Sequence, residues 1–150
     1  MALLTPEHLS HIGDLGPQKQ EIATRRDIRK YAVATGQALT KYLDGDVAPP
    51  LYHVTLFWEV VELNRLSPDG VYMDTLIPIL PLDRAMAGGL DIEYFQVIRA
   101  GDELVAQRQL TALYEKPGRS GPLIFYEVIM EVNTAAGEPV LREKTTRILR

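Results

Sequence analysis

The segment ATGQALTKYLDGDVAPPLYHVT, residues 34–55, gathers Gln37, Tyr42, Asp44, Asp46 and His53 within one short stretch. Carboxylates and an imidazole are the side chains best suited to moving protons near neutral pH, provided they come within hydrogen-bond reach of the reacting group. His53 with Asp44 or Asp46 would make such a couple, unless His53 is simply a hydrogen-bonded histidine at a sheet edge. Tyr42, with an ordinary pKa of about 10, is a poor base but a competent hydrogen-bond donor. Gln37 cannot take a proton. Glu59 adds one more carboxylate downstream, although Glu62 beside it reads as part of a shared wet edge. His8 and His11 are three apart near the N-terminus, with too few neighbouring ligands for a metal, so none is expected.

These groups need elements to position them. GPQKQEIA (16–23) reads as a strand after a turn. Thr24 caps a helix, RRDIRKYAVATG, with Asp27 at its third position, and Gly36 ends it. Residues 37–50 form a loop, and Pro50 suits the first turn of a new helix. LYHVTLFWEVVELNRL (51–66) is apolar around most of its circumference and is expected to be a long buried helix, with Trp58, Phe57 and Leu56 in its core or along a tunnel beside it. SPDG (67–70) is a turn. In 71–89, VYMDTLIPI reads as a strand broken by Pro78 and Pro81, and a short helix is expected through LDRAMAGG. Gly88 and Gly89 permit a tight backbone turn or the close approach of a ligand.

From residue 90 the pattern is β. LDIEYFQVI (90–98) alternates; 103–115 is a long strand with Leu104, Ala106, Leu110, Ala112 and Tyr114 in phase. KPGRSGP (116–122) is a hairpin loop, and LIFYEVIMEV (123–132) places Ile124, Tyr126, Val128, Met130 and Val132 on one face. VLREKTTRIL (140–149) is more polar, as an edge or interface strand would be. A helix apolar on most sides needs a concave sheet around it, because a flat sheet covers one stripe. The expectation is therefore an α+β hotdog fold: one domain over 1–150, with residues 1–15 a flexible or extended end.

Composition narrows the partners. A net charge of -4 argues against nucleic acid, which wants a basic face. The cluster Arg25, Arg26, Arg29 and Lys30 is interrupted by Asp27 and reads as a solvated helix face, or as a greeting for an anion such as a coenzyme phosphate. The absence of cysteine excludes disulfides and thiolate chemistry and fits the cytoplasm. No stretch has the signal-peptide pattern or the apolar length of a membrane span.

VAPPLYH before the apolar segment, MAGGLDIEYFQVIRAGDEL, and GPLIFYEVIMEVNTAAGEPVLREKTTRIL together resemble the N-terminal-type domain of MaoC-like dehydratases, over roughly residues 10–150. The resemblance implies a hotdog protein acting on acyl thioesters, adding water to enoyl-CoA or removing it from (3R)-3-hydroxyacyl substrates, with coenzyme A or phosphopantetheine present only as part of the substrate and no separate cofactor. That family's catalytic motif is Gly-Asp-x-Asn-Pro-x-His-x-Asp. Here Gly36 matches it, Gln37 stands in the catalytic Asp slot, Leu39 and Thr40 replace Asn and Pro, Tyr42 replaces His, and Asp44 matches the trailing Asp. The resemblance therefore implies an accessory half, similar to the non-catalytic subunit of (3R)-hydroxyacyl-acyl-carrier-protein dehydratases. A partner hotdog, in a hetero- or homodimer, would supply Asp and His. Gln37, Tyr42, Pro50, Leu51, Trp58, Gly88 and Gly89 are the expected contacts to acyl-CoA or acyl-ACP. Alternatives are a thioesterase or atypical dehydratase built on His53 with Asp44 or Asp46, and a module that only binds acyl thioesters.

Overall fold

The computed structural model describes residues 2–150 except Asp69 and Met73. Its elements are helix α1 (Pro6–Ser10), strand β1 (Lys19–Ile22), helices α2 (Arg25–Ala34), α3 (Thr40–Leu43) and α4 (His53–Phe57), a 3₁₀ turn at Leu63–Arg65, then strands β2 (Ala85–Tyr94), β3 (Glu103–Gly118), β4 (Gly121–Thr134) and β5 (Pro139–Leu149). The strands form one sheet in the order β1-β3-β4-β5-β2, every pair antiparallel. This is the hotdog architecture.

Helix α2 starts and stops where its sequence dictates. The Thr24 hydroxyl accepts the Asp27 N–H at 3.2 Å, and Gly36 takes the left-handed conformation (φ 70°) past its end. The expected long helix 51–66 is not formed. Helix α4 covers five residues, and the chain leaves it at Trp58 with an extended backbone. Two causes act together. Val54, Thr55, Val60 and Val61 are β-branched and lose side-chain freedom in a helix. The Trp58 indole N–H is also drawn to Glu143 on β5, at 3.2 Å.

The short helix expected through LDRAMAGG is instead the first half of β2. Ala85 pairs with Leu149 and the ladder continues to Tyr94 opposite Leu141, so sheet pairing overrides the local helix preference of Ala-Met-Ala. Gly88 lies in a bulge of that ladder rather than in a turn, and a side chain there would meet Thr146 and Ile148 of β5 at 3.0–3.1 Å. The turn at 67–70 closes through the Gly70 N–H to Ser67 carbonyl bond, Asp69 itself lying outside the described residues. Of the strand expected at VYMDTLIPI, Tyr72 makes an isolated bridge to Leu66; Met73 lies outside the described residues.

Strand β3 carries a bulge between Leu110 and Ala112, where the Thr111 hydroxyl donates to the Glu127 carbonyl. The bulge reverses the alternation expected beyond it. Leu113 faces the core, and Tyr114 turns outward to stack on Phe125 with ring centroids 5.3 Å apart. The hairpin after β3 is tighter than a 116–122 loop, since pairing runs on to Gly118 opposite Gly121.

Strand β5, expected at an edge or an interface, lies inside the sheet between β4 and β2; the edges are β1 and β2. The residues ahead of β1 lie against β3. Gly13 and Gly16 donate backbone N–H groups to Leu110 and Arg108, and α1 is closed by Thr5 and His8. Two apolar clusters fill the concave side. One joins Ile28, Tyr52, Phe57, Leu104, Val132 and Leu141; the other joins Leu113, Ile124 and Leu149.

Candidate functional site

Between those clusters the concave face of the sheet is polar. Inward-pointing positions of β5 run Leu141, Glu143, Thr145, Arg147, Leu149, opposite Val132, Met130, Val128, Tyr126 and Ile124 of β4. Arg108 of β3 stands opposite Met130. Because α4 stops at Phe57, this band is left open as a cleft of about 270 Å³, walled by Phe57, Trp58, Val61, Tyr72, Asp74 and the strand residues. The polarity of β5 thus comes from facing this cleft.

Glu143 lines the cleft, and His53 is bonded behind it. His53 Nε2 lies 2.5 Å from Glu143 Oε2, and both residues are almost fully enclosed, at 1% and 3% exposure. One proton is shared across this contact. Glu143 Oε1 accepts from the Trp58 indole and the Thr145 hydroxyl, both at 3.2 Å. His53 Nδ1 is buried without a partner.

A second cavity, of about 330 Å³, lies on the other side of His53, lined by Tyr42, Pro49, Pro50, Leu51, Tyr52, Tyr94 and Phe95. The fold thus brings the expected contacts Tyr42, Pro50 and Leu51 together with the candidate base His53, and places Trp58 at the first cleft. Leu51 adopts φ 68°, costly for a branched side chain, with its N–H bonded to the Tyr94 hydroxyl at 3.0 Å. Gln37 closes the end of α2 through its backbone N–H to the Ala32 carbonyl, and lines neither cavity. Gly88 and Gly89 also line neither.

The couple of His53 with Asp44 or Asp46 is not formed. Arg25 takes both the Asp46 carboxylate and the Asp44 carbonyl, anchoring the loop to α2. The partner of His53 is ninety residues away on β5, beyond the reach of a spacing argument; the available signal was Glu143 at an inward position of an alternating strand. Glu59 pairs with Lys19 at 2.5 Å. His8 closes the cap of α1 with Thr5, and His11 pairs with Asp14. The α2 cations are partly engaged: Arg26 with Asp27, Arg29 with the Leu43 carbonyl.

Across the cleft from Glu143, Arg108 forms a double hydrogen bond with Asp74. Burial works against the Arg108 guanidinium, but the Asp74 contact outweighs it and holds its pKa above the usual value. Burial pushes the Tyr126 phenol up and the Asp74 charge adds to this, while Arg147 and Arg108 pull it back in part. The cleft therefore offers fixed charges and hydrogen-bond donors, with the His53 imidazole buried behind Glu143.

Fold and cleft define the chain as a hotdog domain of the MaoC-like dehydratase class. It belongs to the family described as FAS1-like, dehydratase domain region, which it matches over residues 10–143, and so to a family of hydratases and dehydratases. It is similar to mesaconyl-C(4)-CoA hydratase of Chloroflexus aurantiacus, 33% identical over 81 residues that make up 53% of this chain and 29% of that protein. Among solved structures, the ChsH1-ChsH2 complex from Mycobacterium tuberculosis superposes with a TM-score of 0.71, covering 95% of this chain and 89% of that one at 14% identity. The HadBC (3R-hydroxyacyl-ACP dehydratase) complex from the same organism gives 0.62, covering 91% and 96% at 19% identity. At such identities the two structures speak for the fold. Among the described residues, no helix is long and apolar enough to cross a membrane.

Proposed function

We propose that this chain is the accessory half of a hydro-lyase acting on 3-hydroxyacyl or enoyl thioesters of CoA or acyl carrier protein in the cytoplasm. It shapes the acyl pocket while a second hotdog supplies the Asp–His pair. One observation carries the reading: the loop in the catalytic-motif position holds Gln37 and Tyr42 where acid and base would be, and Tyr42 lines the cavity beside His53. Losing a general acid or base typically costs ~10²–10⁴ in rate.

A partner is supported by what the chain leaves uncovered. Val60, Leu63 and Ile79 are nearly fully exposed after α4, and Leu90, Tyr94, Phe95 and Val97 are half exposed along and just beyond the β2 edge. The HadBC and ChsH1-ChsH2 structures are complexes, which supports the same reading.

A second reading makes the chain a hydratase or thioesterase in its own right. It is favoured by the Glu143 carboxylate lining the cleft beside His53. The accessory reading is preferred because Glu143 already makes three hydrogen bonds and neither ring nitrogen of His53 is open to the cleft.

The test is hydration of crotonyl-CoA by the purified chain. The expected result is thermal stabilisation by the thioester without turnover, and turnover on adding a hotdog that carries the intact motif. Robust hydration by the chain alone, persisting in Gln37→Ala and Tyr42→Ala and lost in Glu143→Gln, would establish the second reading instead. Binding without turnover in any mixture would leave an acyl-thioester-binding module.

A further inference from the structure

We propose that the concave-face cleft takes a short acyl group ending in a carboxylate, which Arg147 binds. This rests on the proposed function, that the chain holds the acyl part of a thioester. The argument starts from β5. At its two ends the inward side chains Leu141 and Leu149 are buried and apolar, as packing requires; between them stand Glu143, Thr145 and Arg147. A face built only to hold an alkyl chain has no use for charges there, since each charge withdrawn from water without a partner costs several kcal/mol.

The other charges of the cleft are already matched. Glu59 has Lys19, Asp74 has Arg108, and Glu143 has His53 together with Trp58 and Thr145. Arg147 has no carboxylate at ion-pair distance among the described residues. A hydrocarbon chain filling the cleft would strip water from this guanidinium and return nothing. A carboxylate would receive two parallel N–H bonds from it, the strongest pairing the guanidinium offers. Tyr126, directly across from Arg147 on β4, lines the same cleft and adds a phenol O–H donor to it.

Size sets the chain length. At about 270 Å³ the cleft falls just below the ~300–1,000 Å³ usual for pockets that bury a whole small ligand. It has room for a few carbons and a carboxylate, with the thiol carrier outside.

Succinyl-CoA and butyryl-CoA present four-carbon acyl groups that differ in the terminal carboxylate. Isothermal titration of the wild-type chain is expected to show succinyl-CoA binding about tenfold more tightly or better, one charge-assisted pair being worth roughly 1.4 kcal/mol. Arg147→Met, which keeps the apolar stem, is expected to bring succinyl-CoA down to the butyryl-CoA level and leave butyryl-CoA within about twofold. Arg147→Lys, a milder change should the methionine variant fold poorly, is expected to retain part of the preference. Equal affinity for the two thioesters in the wild type, or a preference that survives both substitutions, would overturn the proposal and leave the acyl-binding reading standing. Failure of both thioesters to bind the wild type would overturn the two together.

Discussion

His53 on the first turn of α4 and Glu143 on β5 meet with Nε2 and Oε2 2.5 Å apart, both shut away from solvent. The contact ties a five-residue helix, too short to be stable alone, to the middle of the sheet. It also forms part of the partition between the two cavities, since Glu143 lines one and His53 the other.

If that role is structural, single and double substitutions will differ in a definite way. Glu143→Ala leaves a buried imidazole unpaired and should cost about 1–3 kcal/mol in urea unfolding, as a buried polar group left without its partner does. The double change His53→Leu with Glu143→Met should cost less than the sum of the single changes. Trp58, the chain's one tryptophan, donates to Glu143, so Glu143→Gln should shift its fluorescence without unfolding the domain. Additive costs in the double variant would show that the two residues are not coupled.

Tyr52, next to His53, gives a pH-dependent prediction. Its side chain is 1% exposed and its hydroxyl has no hydrogen-bond partner; the Thr24 backbone lies near enough to oppose the shift slightly but not in bonding geometry. Burial, with the Asp27 charge behind it, pushes the phenol up to about 12. The unfolded chain therefore releases this proton first. Stability from this group is fully present below pH ~10 and is lost as pH rises from there through about 12. Tyr52→Phe should melt within about 1 kcal/mol of wild type at pH 7, because the hydroxyl makes no bond, and should flatten the alkaline decline. An unchanged slope between pH 10 and 12 in the variant would assign that decline to other groups.

Gly45 joins α3 to the loop that carries Asp46. Its φ is 77°, and a side chain would place its Cβ 2.6 Å from the Arg25 carbonyl oxygen. Gly45→Ala combines a disfavoured backbone with a clash against backbone, so a loss of roughly 2 kcal/mol or more is expected in urea unfolding. Gly137→Ala, also at positive φ but facing open space, should cost less. A reversed order would remove the close approach as the cause.

The parts of this fold that were legible in the sequence are those set by local chemistry. Thr24 and Gly36 bound α2 through a hydroxyl cap and a left-handed exit, and the face from Ile124 to Val132 followed from strict alternation. Apolar periodicity failed at 51–66 because it reports burial more than conformation. Phe57 is buried in α4, whereas Trp58 is half exposed and leaves the helix to bond Glu143. Polarity in β5 suggested an edge or an interface because the cleft it faces exists only once α4 has ended early. Of the site, Tyr42, Pro50, Leu51 and His53 were legible as neighbours, being close in the chain; Glu143, Arg108 and Arg147 were not, because only the sheet register brings them together.

Asp44 and Asp46, the aspartates nearest His53 in the chain, are predicted to contribute little to either binding or stability. Arg25 and Asp46 are each more than half exposed, and surface pairs of this kind are worth ~0–1 kcal/mol. Asp46→Asn should therefore move the urea midpoint only slightly and leave the affinity for crotonyl-CoA unchanged. Arg25→Ala should cost more than Asp46→Asn, because it also releases the Asp44 carbonyl that the same guanidinium holds at 2.9 Å. The loop would then loosen where it meets Tyr42, and any effect on binding should appear in Arg25→Ala first. Weaker crotonyl-CoA binding in Asp46→Asn at unchanged stability would return that carboxylate to the binding site.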